Sequence, residues 1–187
     1  MHIKQLLVAA TATLLVSFNT QAQSKYLDKN CDISFYSHTP VEDIQAKNSS
    51  AVAVLDAQSG AVEFAVLIKA FEFEKALMQE HFNENYMESD KFPKASFKGQ
   101  IKNIGDVNFK ANGTYAVNVS GPLTMHGVSK EITITGKIVI ADGSVQSLAS
   151  FAVNPEDYKI AIPGVVKEKI AKELQVKVEA NYQVYAD

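Results

Sequence analysis

The residues of this chain best able to act as bases or to hold a metal are its histidines, and they stand apart. His38, His81 and His126 lie in the body of the chain and His2 near its start, none two or four residues from another. The single cysteine, Cys31, belongs to no Cys or His cluster. A zinc centre needs three or four such ligands converging on one point, so no metal site is expected. Glu72 and Glu74 flank Phe73 and read as the wet face of a strand–helix junction. Glu156-Asp157, between Pro155 and Tyr158, reads as a solvated turn. His81, with Glu80 or Glu84 beside it, is the one group an enzyme could use as a base; packing or hydrogen bonding where its helix meets the rest of the fold is the plainer role. No nucleophile elbow, phosphate-binding loop or dinucleotide-binding glycine pattern occurs. The reading is therefore no catalytic residues, no metal and no enzyme.

The composition narrows the field further. The chain has 187 residues, a formal net charge of −3 and 47% hydrophobic residues, and all 18 of its basic residues are lysine. A mildly acidic chain without arginine lacks the bidentate fork that reads guanine edges and phosphates, so no nucleic-acid partner is expected. One cysteine excludes an intrachain disulfide framework. Lys167, Lys169 and Lys172 lie on a short amphipathic stretch. This leaves transient membrane contact open, although three lysines ordinarily form a solvated face.

Residues 1–22 read as a secretory signal peptide. Lys4 precedes an apolar run from Leu6 to Phe18, and Thr20-Gln21-Ala22 places small residues before a cut at Gln23. The run is too short to span a membrane as a helix. Residues 23–187 then form one exported domain, periplasmic or secreted. No internal repeat or linker divides it.

The elements that must position any site are strands. Leu174, Val176, Val178, Ala180, Tyr182 and Val184 alternate with Gln175, Lys177, Glu179, Asn181 and Gln183. Period two means one face buried and one in water. The same alternation marks Ile33 and Phe35; Val62, Phe64, Val66 and Ile68; Phe97 and Ile101; Tyr115, Val117 and Val119; and Ile132, Ile134, Ile138 and Ile140. Asn112-Gly113 and Asp142-Gly143 are turn signals, the latter a tight hairpin. The stretch 74–87 is rich in Ala, Leu, Met, Glu and Lys and predicts a helix with Leu77, Met78, His81 and Phe82 on one face. A second, weaker helical stretch covers 163–173. About eight sequential strands predict an all-β fold, an eight-stranded antiparallel barrel or sandwich. A barrel's interior can be filled by its own side chains or can hold one apolar ligand, and periodicity does not choose between these.

Three segments stand out by their order and spacing. The first is His81-Phe82 followed by Tyr86-Met87-Glu88-Ser89-Asp90-Lys91-Phe92-Pro93-Lys94-Ala95-Ser96-Phe97. The second is Gly121-Pro122-Leu123-Thr124-Met125-His126-Gly127-Val128-Ser129. The third runs from Phe151-Ala152-Val153 to Asp157-Tyr158. Together they resemble the YceI-like family, known for polyisoprenoid and lipid binding, and the second is similar to that family's hairpin between two long strands. The chain departs from the family at Met78-Gln79, where an Arg-Asp pair is usual, and at Tyr86-Met87, where two Phe are usual. The resemblance implies a lipocalin-like eight-stranded barrel with the helix near its mouth. It also implies an apolar pore that holds an isoprenoid chain, such as a polyprenyl or quinone tail. The lining expected is Phe35, Phe64, Val66, Ile68, His81, Phe82, Phe97, Val117, Leu123, Met125, Phe151 and Val153. No cofactor is expected beyond such a lipid ligand, and the family resemblance makes a homodimer plausible. The alternative is a filled barrel that serves as a protein-interaction module.

Overall fold

The structure, a computed structural model, describes residues 25–185. The expected signal peptide, residues 1–22, lies outside the described residues. The strands are β1 (Lys25–His38), β2 (Asp43–Asp56), β3 (Ala61–Leu67), β4 (Glu72–Phe73), β5 (Lys94–Ile101), β6 (Gly113–Met125), β7 (Val128–Ala141), β8 (Ser144–Val153) and β9 (Leu174–Tyr185). One helix, α1 (Ala76–His81), lies between β4 and β5.

Eight long strands close on themselves in the order β1-β9-β8-β7-β6-β5-β3-β2, with β1–β2 pairing completing the ring. Every pairing is antiparallel, as sequential strands joined by short connections allow. Closure removes most of the sheet edge that could template aggregation; β7 and β8 part company, with no pairing on the side of Gly136↔Ala149 away from their hairpin. The two-residue β4 extends the line of β3 along β2, through Ala46↔Phe73 and Lys47↔Glu72, after a 3-10 turn at Ile68–Ala70.

Two hairpins turn as their residues require. Asp142 (φ 49°) and Gly143 (φ 82°) take left-handed backbone between β7 and β8. His126 (φ 49°) and Gly127 (φ 72°) do so between β6 and β7. Two consecutive left-handed residues twist the turn in the sense the strands need. Glycine adopts that conformation freely, whereas a histidine does so at a cost that local bonds must offset.

Strand direction gives the barrel two different ends. One end carries the connections 39–42, 68–93, 126–127 and 154–173, and the other carries 57–60, 102–112 and 142–143. The second end is plugged. Tyr26 stacks on Phe109 with ring centroids 5.6 Å apart, and Val107, Ile140 and Val145 are buried there. The first end is the mouth.

The predicted helix over 74–87 is observed as α1 followed by a π-type turn at Phe82–Tyr86. Two adjacent rows are half-buried, Met78, Phe82 and Tyr86 in one and Gln79 and Asn83 in the other; Leu77 is 60% exposed and His81 is exposed too. The helix lies on the rim, and the side that carries Leu77 and His81 faces solvent. The helix expected over 163–173 is absent. One 3-10 turn forms instead, Gly164–Val166, with Val166 N donating to Pro163 O (3.0 Å) and Lys169 N to Val166 O (2.9 Å). Pro163, Gly164 and two valines are poor helix formers, and Val165 stays 92% exposed, so no burial offsets the cost of nucleation. Ala171 N donates to Ser37 Oγ (2.9 Å), which ties this connection to β1.

Candidate functional site: an apolar cavity in the barrel

Inward residues of all eight long strands surround a cavity of about 220 Å³. Its wall is apolar because alternation sends Ile33 and Phe35 (β1), Val62, Phe64 and Val66 (β3), Val117 and Val119 (β6), and Val176 and Val178 (β9) to one face. The polar groups facing it are few. Tyr182 and Ser147 hydrogen-bond to each other through their hydroxyls (3.2 Å). Burial holds the Tyr182 hydroxyl well above the usual phenol range, so it stays neutral.

The barrel is not uniformly filled. On β7, β8 and β9 the inward residues at one level are small: Gly136 faces Ala149, which faces Val178, and Ser147 faces Ala180. The atoms nearest to a Cβ placed on Gly136 would all belong to β8, at Leu148 O (2.9 Å) and Ala149 Cβ (3.5 Å). That absence of side-chain volume on one wall leaves the belly of the cavity open, in an interior that otherwise packs at crystal-like density.

Ten of the twelve residues expected on sequence grounds to line a pore do face this cavity: Phe35, Phe64, Val66, Phe82, Phe97, Val117, Leu123, Met125, Phe151 and Val153. Two do not. Ile68 continues the inward alternation of β3, but the 3-10 turn beginning there rotates it into a second cluster with Met87, Val153, Tyr158 and Ile160. His81 points to solvent on the outer face of α1, away from both the cavity and the seam between helix and barrel. Cavity-lining residues that sequence reasoning did not single out include Leu55, Phe71, Gly136, Ala149 and Ile160. Ala149 carried no signal, because an alanine in an alternating strand marks neither a wall nor a gap.

The mouth is an aromatic cluster. Phe35 lies 5.5 Å from Phe71, 5.9 Å from Phe73 and 5.5 Å from Phe82, and Phe82 closes the set at 5.6 and 5.0 Å from Phe71 and Phe73. Such pairs add about 0.5–1.5 kcal/mol each beyond area burial. Phe82 reaches the cluster from the π-type turn, a conformation often found at functional positions.

His126 fastens the rim. Its Nε2 lies 2.8 Å from Glu88 Oε2 and its Nδ1 3.0 Å from Tyr158 O, while Phe92 meets its ring edge-on at 4.6 Å. Three connections thus meet at one imidazole, the β6–β7 turn, the segment before β5 and the connection after β8. These contacts offset the left-handed backbone at His126 and at Glu88 (φ 43°). Lys130–Asp157 (2.6 Å) repeats the stitch between β7 and the 154–173 connection.

Cys31 is fully buried beside a β-bulge in β1. Asp28 accepts there from Asn30 N (2.8 Å) and Asn181 N (2.7 Å). Burial, reinforced by Asp28, Asp32 and Glu179, pushes the Cys31 thiol up to about 12. Among the described residues, no group of three or more His, Cys, Asp or Glu could hold a metal, and no helix is long and apolar enough to cross a membrane.

A closed eight-stranded antiparallel barrel around an apolar cavity, with a helix at its rim, defines a class of β-barrel folds. The YceI-like domain family matches residues 26–182, and the chain belongs to that family. Similar solved structures include a polyisoprenoid binding domain from Saccharophagus degradans implicated in plant cell wall breakdown. It has 11% identity and a TM-score of 0.75, and the match covers 88% of this chain and 100% of that one. BcnA of Burkholderia cenocepacia is similar at 14% identity, with a TM-score of 0.67 and coverage of 82% and 96%. The YCEI protein of Campylobacter jejuni is similar at 16% identity, with a TM-score of 0.53 and coverage of 97% and 99%. No curated protein matches the chain.

Proposed function

We propose that this protein is an exported binding protein that holds the apolar chain of an isoprenoid or similar amphiphile inside its barrel. The carrying observation is the cavity of about 220 Å³ walled by valine, isoleucine, leucine and phenylalanine. Such a site binds by removing apolar surface from water, at about 0.8 kcal/mol per buried methylene, and needs no precise polar contacts. The Saccharophagus degradans relative, a polyisoprenoid binding domain of the same fold, supports an isoprenoid over other apolar ligands. The predominantly apolar wall, whose hydroxyls are those of Ser96 and of the neutral Tyr182–Ser147 pair, supports a binding role.

Size sharpens the reading. The cavity is about half as large again as the 150 Å³ apolar cavity that takes up benzene, so it accommodates on the order of nine carbon atoms. A long prenyl chain therefore leaves part of its length outside the barrel or displaces the phenylalanines at the mouth. The signal-like segment supports export to the periplasm or beyond. Extraction of the native, exported protein into organic solvent, followed by mass spectrometry, tests the proposal. An isoprenoid or quinone at near-stoichiometric yield is expected; extracts free of any lipid, together with no uptake of farnesol by the purified protein, would overturn it.

A further inference from the structure

The wall of the barrel is forked. β7 pairs with β6 from Val128 to Ile140, but pairs with β8 only from Gly136 to Ala141. β8 stays with β9 as far as Val153. The two strands therefore part at the Gly136↔Ala149 pair, and toward the mouth no ladder joins Thr135 to Ser150. The gap is closed again only near the rim, by Lys130–Asp157 and His126–Tyr158. At the fork Gly136, Ala149 and Val178 border both the inner cavity and a groove on the outer surface, and the alternation that turns Gly136 and Ile138 inward leaves the exposed Lys137 side chain on the outer face.

The outer groove has a chemistry the cavity lacks. Strand register sets Lys47, Ser34, Lys177 and Ser150 side by side across β2, β1, β9 and β8, with Thr135 beyond the gap on β7. Lys137 stands beside Leu148 on the same face. Two carboxylates share the groove, and both are engaged: Asp32 pairs with Lys47 (3.2 Å), and Glu179 accepts from Gln146 (2.9 Å). Lys137 and Lys177 have no ion pair or hydrogen bond among the described residues. Two free ammonium groups and the hydroxyls of Ser34 and Ser150 present several donors beside the apolar fork, while Thr135 Oγ1 donates to Asn118 Oδ1 (3.3 Å). That set suits a phosphate, with its several acceptor oxygens, better than a neutral alcohol.

We propose that the fork between β7 and β8 is a side entrance to the cavity, and that the groove outside it seats the phosphate of a phosphorylated prenyl chain whose tail passes between the two strands on the mouth side of the Gly136↔Ala149 pair, where Thr135 and Ser150 are unpaired. The proposal rests on the cavity holding an apolar chain. It also answers the size problem, because a head group held outside the wall leaves only the tail to be accommodated within.

The test compares farnesyl phosphate with farnesol on the purified full domain. The native protein should bind the phosphate about tenfold more tightly at low salt, a preference that fades as salt rises. The double substitution Lys137→Gln/Lys177→Gln should erase that preference and leave farnesol affinity unchanged. Thr135→Trp, which adds an exposed indole at the fork, should weaken farnesyl phosphate more than farnesol. Both variants change exposed side chains, so circular dichroism should match the native protein. Failure of farnesol to bind the native protein would sink the cavity reading itself. Farnesol binding with no phosphate preference, or a preference that survives the double substitution, would overturn the side entrance alone.

Discussion

Replacing Ala149 with phenylalanine should empty the protein of its ligand while leaving it folded. Ala149 sits on the inward face of β8, between Gly136 and Val178, where the wall is thinnest in side-chain volume. The new ring is a benzene attached to the wall, and benzene occupies an apolar cavity of about 150 Å³. Placed in a cavity of about 220 Å³ it takes roughly two thirds of the room. On the order of six carbons of ligand are displaced, at about 0.8 kcal/mol each, so the upper limit of the loss is about 5 kcal/mol, or more than three powers of ten in affinity. Stability should hardly move. Burying the ring contributes about 1.5–3 kcal/mol, and tight packing costs about 1–3 kcal/mol. Titration of farnesol by calorimetry, with thermal melts of both proteins, reads both quantities. A folded Ala149→Phe protein that binds farnesol with native affinity would refute the reasoning, because the chain would then lie somewhere other than this cavity.

Other consequences are open to simple measurements. His126→Ala removes the bonds to Glu88 and Tyr158 O and leaves their partners half-buried, which should cost about 1–3 kcal/mol and lower the melting temperature by several degrees. An unchanged melt would show that the rim is held by packing alone. Cys31 should resist a water-soluble disulfide reagent at pH 8 in the native protein and react fully in denaturant, since its thiol lies near 12 and is buried; fast native labelling would contradict that placement. The Asp56 carboxyl is held below its ordinary value, chiefly by the backbone N–H of Ser59, then by that of Gln58. A depressed folded value means that its contribution is complete above about pH 4 and is lost as pH falls through the folded value. Asp56→Asn should therefore flatten the acid side of a stability–pH curve and leave its neutral side with the same slope.

The strand faces were legible because a half-buried strand writes its burial into every second residue. Val117 and Val119, or Ile138 and Ile140, needed no tertiary information to be placed inward. The hairpin at Asp142-Gly143 was legible for a similar local reason, since its left-handed backbone demands those residue types. Errors fell where the periodicity changes hands. Ile68 obeys the alternation of β3 but stands on the residue where strand becomes turn. His81 obeys the helical repeat, yet this rim helix half-buries the side carrying Met78, Gln79, Phe82 and Asn83 and leaves Leu77 and His81 in solvent. The stretch 163–173 carries a helix-like composition with no surface beneath it to reward helix formation.

The sequence alone therefore determined an all-β chain with an apolar inner face, a helix between the early strands and no clustered chemistry. Those properties depend on neighbours along the chain, and local physics is enough to read them. Whether the interior is full or empty was decided only in three dimensions. Gly136, Ala149 and Val178 are far apart in sequence, and each is unremarked alone, but strand register sets them side by side and leaves the space between them. The same register opens the wall between β7 and β8 and gathers Lys137 and Lys177 outside it. A void is a property of what fails to meet across a barrel, and no local pattern records it.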